Sequence, residues 1–239
     1  MSSMKSGRYP FIDGLRGVAI VLMMAYHFTF DLNLFKVVHV DFNHNIFWLS
    51  ARGLIVSMFL GLVGISLYLA SEHGLNKQRY WRRIGLLLVC ALMVSVASYL
   101  MFPKTMIFFG ILHFILIASL LGIWFVRLYW ANLVLGCGIV ITGILVQHPV
   151  FDQSALQWVG LMTHKPATED YVPLFPWFGA VLIGMFLGRY LYSESVPDFA
   201  RWRGDTATGR ILTLAGRNSL LIYMLHQPLF IGILYLFFG

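Results

Sequence analysis

The stretch Arg8–Phe35, RYPFIDGLRGVAIVLMMAYHFTFDLNLF, decides the fold. Its length and apolar content read as a membrane-spanning helix, yet it carries Asp13, Arg16, His27 and Asp31. At ~100° per residue, Arg16 and His27 face directions roughly 20° apart, with ~16 Å of axial separation. Asp13 and Asp31 fall within the same arc. An ionisable group held in hydrocarbon costs at least ~2.5 kcal/mol. The stripe therefore faces other helices or a wet cavity, not lipid.

The rest of the chain agrees with a membrane setting. It has 239 residues, 59% hydrophobic and 11% charged, against about 25% charged in a soluble domain. Windows of ~20 apolar residues make the spans helices, where a barrel would show alternating ten-residue segments. The expected fold is all-α, a polytopic transmembrane bundle forming a single domain over residues 1–239. Seven spans are predicted, at about 10–31, 52–71, 82–102, 106–126, 129–148, 172–192 and 216–238.

The formal charge of +7 would raise nucleic acid as a partner in a soluble protein. Here Lys and Arg gather in connectors, so the charge reads as topology and no nucleic-acid partner is expected. Thirteen of the seventeen Lys and Arg, counting Arg16, lie on one side; only Lys36, Arg52, Lys104 and Lys165 lie toward the other. The positive-inside rule then predicts a cytoplasmic N-terminus and an outside C-terminus. Lys5 and Arg8 before an apolar run imitate a signal peptide, but Asp13 and Arg16 interrupt the run, which is read as a retained first span. Cys90 and Cys137 lie inside predicted spans and read as packing residues.

Two outward connectors exceed a simple turn. Residues 32–51 hold His39, Asp41 and His44. Residues 149–171 place Phe151, Ala155, Trp158 and Met162 at helical spacing, which predicts a short helix on the outer surface. Together they are expected to roof an outward-facing cavity.

Chemistry is expected from the charged stripe. Asp31 follows His27 by one turn, so it is expected to hold the imidazole by one nitrogen and raise its basicity, a base with its orienter. His113, in GILH, and His226, in YMLHQP, fall at comparable depth and suggest a shared site or a structural hydrogen-bond network. Ser219, Tyr223 and His226 share one face of the last span. Arg16 suits phosphate recognition through its planar guanidinium, or pairs with Asp13. No His, Asp or Glu spacing matches a metal motif, so no metal is expected.

DGLRG, AYHFTFDL, GILH, DYVPLFPWFG and GRNSLLIYMLHQP, in that order, resemble the bacterial heparan-α-glucosaminide N-acetyltransferase catalytic-domain-like proteins. The Arg16–His27 spacing is similar to the arginine–histidine motif of the related acyltransferase-3 membrane proteins. The resemblance implies acetyl transfer from acetyl-CoA, a co-substrate, across a bacterial cytoplasmic membrane to an external sugar or glycan acceptor. It implies His27 as the catalytic histidine and Arg16 as the donor-side arginine. His44, in DFNHNIFWLSARG, remains the alternative base, since in lysosomal members that histidine lies before the second span. His113 and Tyr223 are the candidate oxyanion donors. A proton-coupled transporter or flippase using a histidine relay, and a structural membrane subunit, are the competing readings.

Overall fold

The computed structural model describes residues 9–72, 74–193 and 196–238. Lys5 and Arg8, the basic flank of the first span, lie outside them. The helices are α1 (Pro10–Leu34), α2 (Ile46–Glu72), α3 (Lys77–Met101), α4 (Ile111–Gly122), α5 (Trp130–Leu145), α6 (Leu174–Tyr192), α7 (Ala207–Arg217) and α8 (Ser219–Phe238). No strand occurs among the described residues, and the all-α reading holds. Five helices, α1, α2, α3, α6 and α8, are long and apolar enough to cross a membrane.

The helices differ from the expected spans in three places. α4 and α5 have 12 and 16 residues, which reach only ~18 and ~24 Å against a hydrocarbon core of ~30 Å. α2 starts at Ile46, six residues before the expected boundary at 52. The last expected span, from 216, is interrupted at Asn218, whose N–H and side-chain amide both reach back to the Leu214 carbonyl. That cap ends α7, so Arg217 belongs to a separate amphipathic helix, begun by the Thr206 hydroxyl accepting the Gly209 N–H at 3.0 Å.

Residues 149–171 do not form the expected surface helix. They hold two short 3-10 turns, Pro149–Asp152 and Gln157–Val159, closed by Gly160 at φ +97°. Asp152 accepts from both the N–H and the hydroxyl of Thr163, and His148 N–H donates to the Leu161 carbonyl. These side-chain and backbone bonds hold the chain in a loop despite its apolar spacing.

The chain divides into two compact units, Met1–Phe59 with Val196–Gly239, and Leu60–Ser195. In the first, α1 packs on α7 and α8 around Ile20, Met23 and Ile55, with Tyr26, Phe59, Ala215, Ile222 and Tyr223 against them. The α1–α7 seam depends on glycine. A Cβ at Gly17 would overlap the Leu212 carbonyl, and one at Gly216 the Asp13 carbonyl. This close backbone approach accounts for the second glycine of DGLRG.

In the second unit, α6 packs on α2 and α5 through the same device, Gly64 lying against the Val181 carbonyl. α4 docks on α3, where Tyr80 donates to the Ser119 carbonyl at 3.0 Å. The Asp170 carboxylate accepts the first free N–H of α4, at Ile111, at 2.8 Å, a favourable position for an anion. The Asp170 of DYVPLFPWFG is thereby a helix cap. Its neighbour Tyr171 donates to the Gln157 carbonyl at 2.6 Å, and burial pushes its phenol up to about 12.

Candidate active site

The charged stripe of α1 resolves into two clusters in the first unit. At one cluster, near the start of α1, the Asp13 carboxylate is bracketed. Arg16 reaches one oxygen at 3.1 Å, and Arg217, from the end of α7, reaches the other at 3.2 Å. The Asp13–Arg16 pair was legible one turn apart in DGLRG. Arg217 was not, because the bond joins residues 204 positions apart.

The other cluster joins α1 to α8. The rings of His27 and His226 lie 5.0 Å apart, centroid to centroid. His27 Nδ1 is 3.1 Å from the Met23 carbonyl, and His226 Nδ1 is 2.6 Å from the Tyr223 carbonyl. A carbonyl oxygen only accepts, so in each neutral ring the proton belongs on Nδ1 and the lone pair on Nε2. His27 is partly exposed, whereas His226 is buried. The structure thus offers two imidazoles in the same tautomer, one within reach and one behind it.

Asp31 does not hold His27 as expected. Its side chain is buried, 1% exposed, and one oxygen accepts from Gln227 Nε2 at 3.1 Å. The helix backbone takes over the orienting role, because the Met23 carbonyl lies one turn before His27 and competes successfully for Nδ1. Gln227 escaped the sequence reading. Its only available signal was its place beside His226 in a predicted span, where an amide needs a partner. Three polar atoms here are buried with no partner: Asp31 Oδ2, Gln227 Oε1 and His226 Nε2. For a deprotonated carboxylate all three are acceptors, so the cluster is short of donors.

His113 and His44 are used differently. In the second unit, the Ser95 hydroxyl donates to the Ile107 carbonyl at 2.7 Å, and so accepts from His113 Nε2–H at 3.1 Å. His113 Nδ1 accepts the Gly110 N–H at 3.3 Å. Both ring nitrogens are spent on fastening the connector before α4. His44 is a surface residue, its Nδ1 3.0 Å from Asp41. The N–H groups of Asn43 and His44 hold the Asp41 carboxyl below its usual range, and the pair belongs to the turn before α2. The aromatic side of that connector packs inward, Phe42 lying on Tyr26, Phe30 and Trp48.

Tyr223 presents its ring 5.5 Å from His226 and packs in the Ile20–Met23 core. Among the described residues no group of three or more His, Cys, Asp or Glu side chains is placed to hold a metal ion.

Comparison with curated proteins and with solved structures gives no significant match. The family described as heparan-alpha-glucosaminide N-acetyltransferase, catalytic, matches residues 8–228. That range takes in both clusters, from Asp13 and Arg16 to Arg217, His226 and Gln227. With several apolar helices of spanning length, the chain is a multi-pass membrane protein that belongs to the heparan-alpha-glucosaminide N-acetyltransferase catalytic family, a family of acetyltransferases.

Proposed function

We propose that the protein transfers an acetyl group from cytoplasmic acetyl-CoA to an extracytoplasmic sugar or glycan, with His27 as the base. A bacterial cytoplasmic membrane crossed by α1 with the N-terminus inside would put Asp13 and Arg16 on the donor side and His27 on the acceptor side. The observation that carries the reading is the 3.1 Å contact between His27 Nδ1 and the Met23 carbonyl. The Nδ1–H is committed to that carbonyl, which leaves the Nε2 lone pair of a partly exposed ring for an incoming proton. His44, exposed and paired with Asp41, is the weaker choice.

The chemistry then follows from the groups present. His27 Nε2 removes a proton from the acceptor hydroxyl or amine as that atom attacks the thioester carbonyl. The carbon–sulfur bond breaks, and the thiolate leaves with the proton that the imidazolium returns. Tyr223 is the candidate donor to the developing oxyanion. His113 is less suited, since its Nε2–H already donates to Ser95. A covalent acetyl-histidine would use the same lone pair and stays open as a second route. The donor-poor cluster of Asp31, Gln227 and His226 suits an acceptor rich in O–H and N–H groups, as a sugar is.

Purified protein in detergent, given acetyl-CoA and a panel of amino sugars and glycans, tests this directly. The expected result is transfer that His27→Ala abolishes. Absent transfer, or transfer indifferent to that substitution, sinks the proposal. CoA-independent uptake by proteoliposomes would favour a transporter instead.

A further inference from the structure

The first unit holds a pocket of about 350 Å³ lined by residues drawn from the segment between Arg203 and Arg217. Arg203, Arg210 and Arg217 line it at intervals of seven residues, with Asp205 as the one carboxylate and Thr213 also in the lining. Arg210 and Arg217 share a face of α7, because seven residues are nearly two helical turns. Gly204, at φ +70°, turns the preceding segment back so that it lies against Thr213 and Gly209. Neither Arg203 nor Arg210 has a carboxylate within ion-pair distance among the described residues. Three guanidinium groups against one carboxylate make the pocket a site for a multiply charged anion, and guanidinium forks match phosphate geometry.

We infer that this pocket binds the phosphates of the nucleotide end of the acyl donor, the 3′-phosphorylated ADP portion of a coenzyme A thioester. The inference rests on the acetyl-CoA reading above and adds a place for the part of the donor that Arg16 alone does not explain. Two observations support it besides charge. The volume falls at the low end of the ~300–1,000 Å³ typical of ligand pockets, room for a nucleotide and not for the whole thioester. Arg217 also bonds Asp13, whose other oxygen holds Arg16. The pocket is therefore continuous, through one carboxylate, with the inner end of the α1 stripe. A phosphate engaging Arg217 competes with Asp13 for it and strengthens the hold of Asp13 on Arg16.

An anionic phospholipid headgroup offers the same phosphate chemistry, and Phe199, Ile211 and Leu214 are exposed nearby, so the test separates the two sources. Calorimetry on protein in an uncharged detergent, titrated with adenosine 3′,5′-bisphosphate, reads the pocket without turnover. Binding by the wild type and its loss in Arg203→Gln/Arg210→Gln is the expected result. No binding, or equal binding by both proteins, overturns the inference. In kinetics, the preference for acetyl-CoA over acetyl-pantetheine, as a ratio of kcat/KM values, should fall about ten- to a hundredfold for each charge-assisted hydrogen bond removed. An unchanged ratio also overturns it. Association with vesicles of phosphatidylcholine plus phosphatidylglycerol that depends on the two arginines, with no nucleotide binding, assigns the pocket to lipid and defeats the inference. Transfer from neither thioester, with nucleotide binding intact, defeats the acyl-transfer reading and leaves the pocket standing.

Discussion

His27 and His113 are both imidazoles on apolar helices, one in each unit, and the chain treats them in opposite ways. His113 has a donor on one nitrogen and an acceptor on the other, Gly110 N–H and the Ser95 hydroxyl. His27 has a carbonyl on one nitrogen, and that contact fixes the proton there while leaving the other lone pair uncommitted. A polar group paired at every donor and acceptor contributes to a unique fold, whereas a lone pair left uncommitted on a partly exposed ring is open to a ligand. The same contrast separates two carboxylates. Asp152, in a loop of the second unit, accepts from Thr163 twice, while buried Asp31 accepts once and leaves an oxygen bare.

The sharpest way to break this comparison is to truncate both histidines. We expect His27→Ala to lower turnover by about 10²–10⁴, the range for losing a general base, with little change in thermal stability. His113→Ala should do the reverse. It removes the partner of the Gly110 N–H and of Ser95, at roughly 1–3 kcal/mol of stability, while the folded fraction keeps transferring acetyl groups. Activity assays normalised to folded protein, beside melting curves, read both. Equal losses of activity would erase the distinction and return His113 to the list of catalytic candidates.

A smaller effect tests the half-paired carboxylate. Gln227→Leu strips the Asp31 carboxylate of the hydrogen bond it accepts from Gln227 Nε2, at a cost of roughly 1–3 kcal/mol. Replacing both partners, Asp31→Leu/Gln227→Leu, should recover most of that stability, because two apolar groups leave no buried polar atom unpaired. Transfer should not return with it if the cluster binds the acceptor. A double variant as active as the wild type would make the pair purely structural.

Much of this arrangement was readable in advance, for local reasons. Asp13 with Arg16, and His27 with Asp31, lie within a turn or so of each other on one helix, so periodicity alone put them on a stripe that lipid could not face. The all-α membrane class followed from hydropathy. The misreadings came from contacts that periodicity does not encode. Asp31 bonds Gln227, 196 positions away, and Asp13 bonds Arg217, 204 positions away. The Met23 carbonyl, a backbone group with no signature in the sequence, took the nitrogen assigned to Asp31. Helix lengths failed where side chains cut the pattern. Asn218 ended α7 inside an expected span, and the Ser98 hydroxyl accepted the Ile107 N–H at 2.9 Å, fixing a loop before α4. Gly14 and Gly17 were visible as a motif, but their purpose needed α7 and Trp202 in place to be seen.

The smallest expected effect lies at the saturated end of the comparison. Thr163, first through its hydroxyl and then its N–H, holds the Asp152 carboxyl below the ordinary value of 3.8. A carboxylate with a lowered folded value contributes stability above its unfolded value and loses it as pH falls through the folded one. The 149–163 loop should therefore keep its order from neutral pH down to about 4 and loosen only in stronger acid. Asp152→Asn, which keeps an acceptor but removes the charge, should loosen the loop at neutral pH, read as faster hydrogen exchange at the Thr163 amide. Acetyl transfer should be nearly unaffected, since Asp152 belongs to a loop of the second unit and the proposed base to the first. Loss of transfer in this variant would show that a fully paired carboxylate can carry function here, which is the result the contrast with Asp31 forbids.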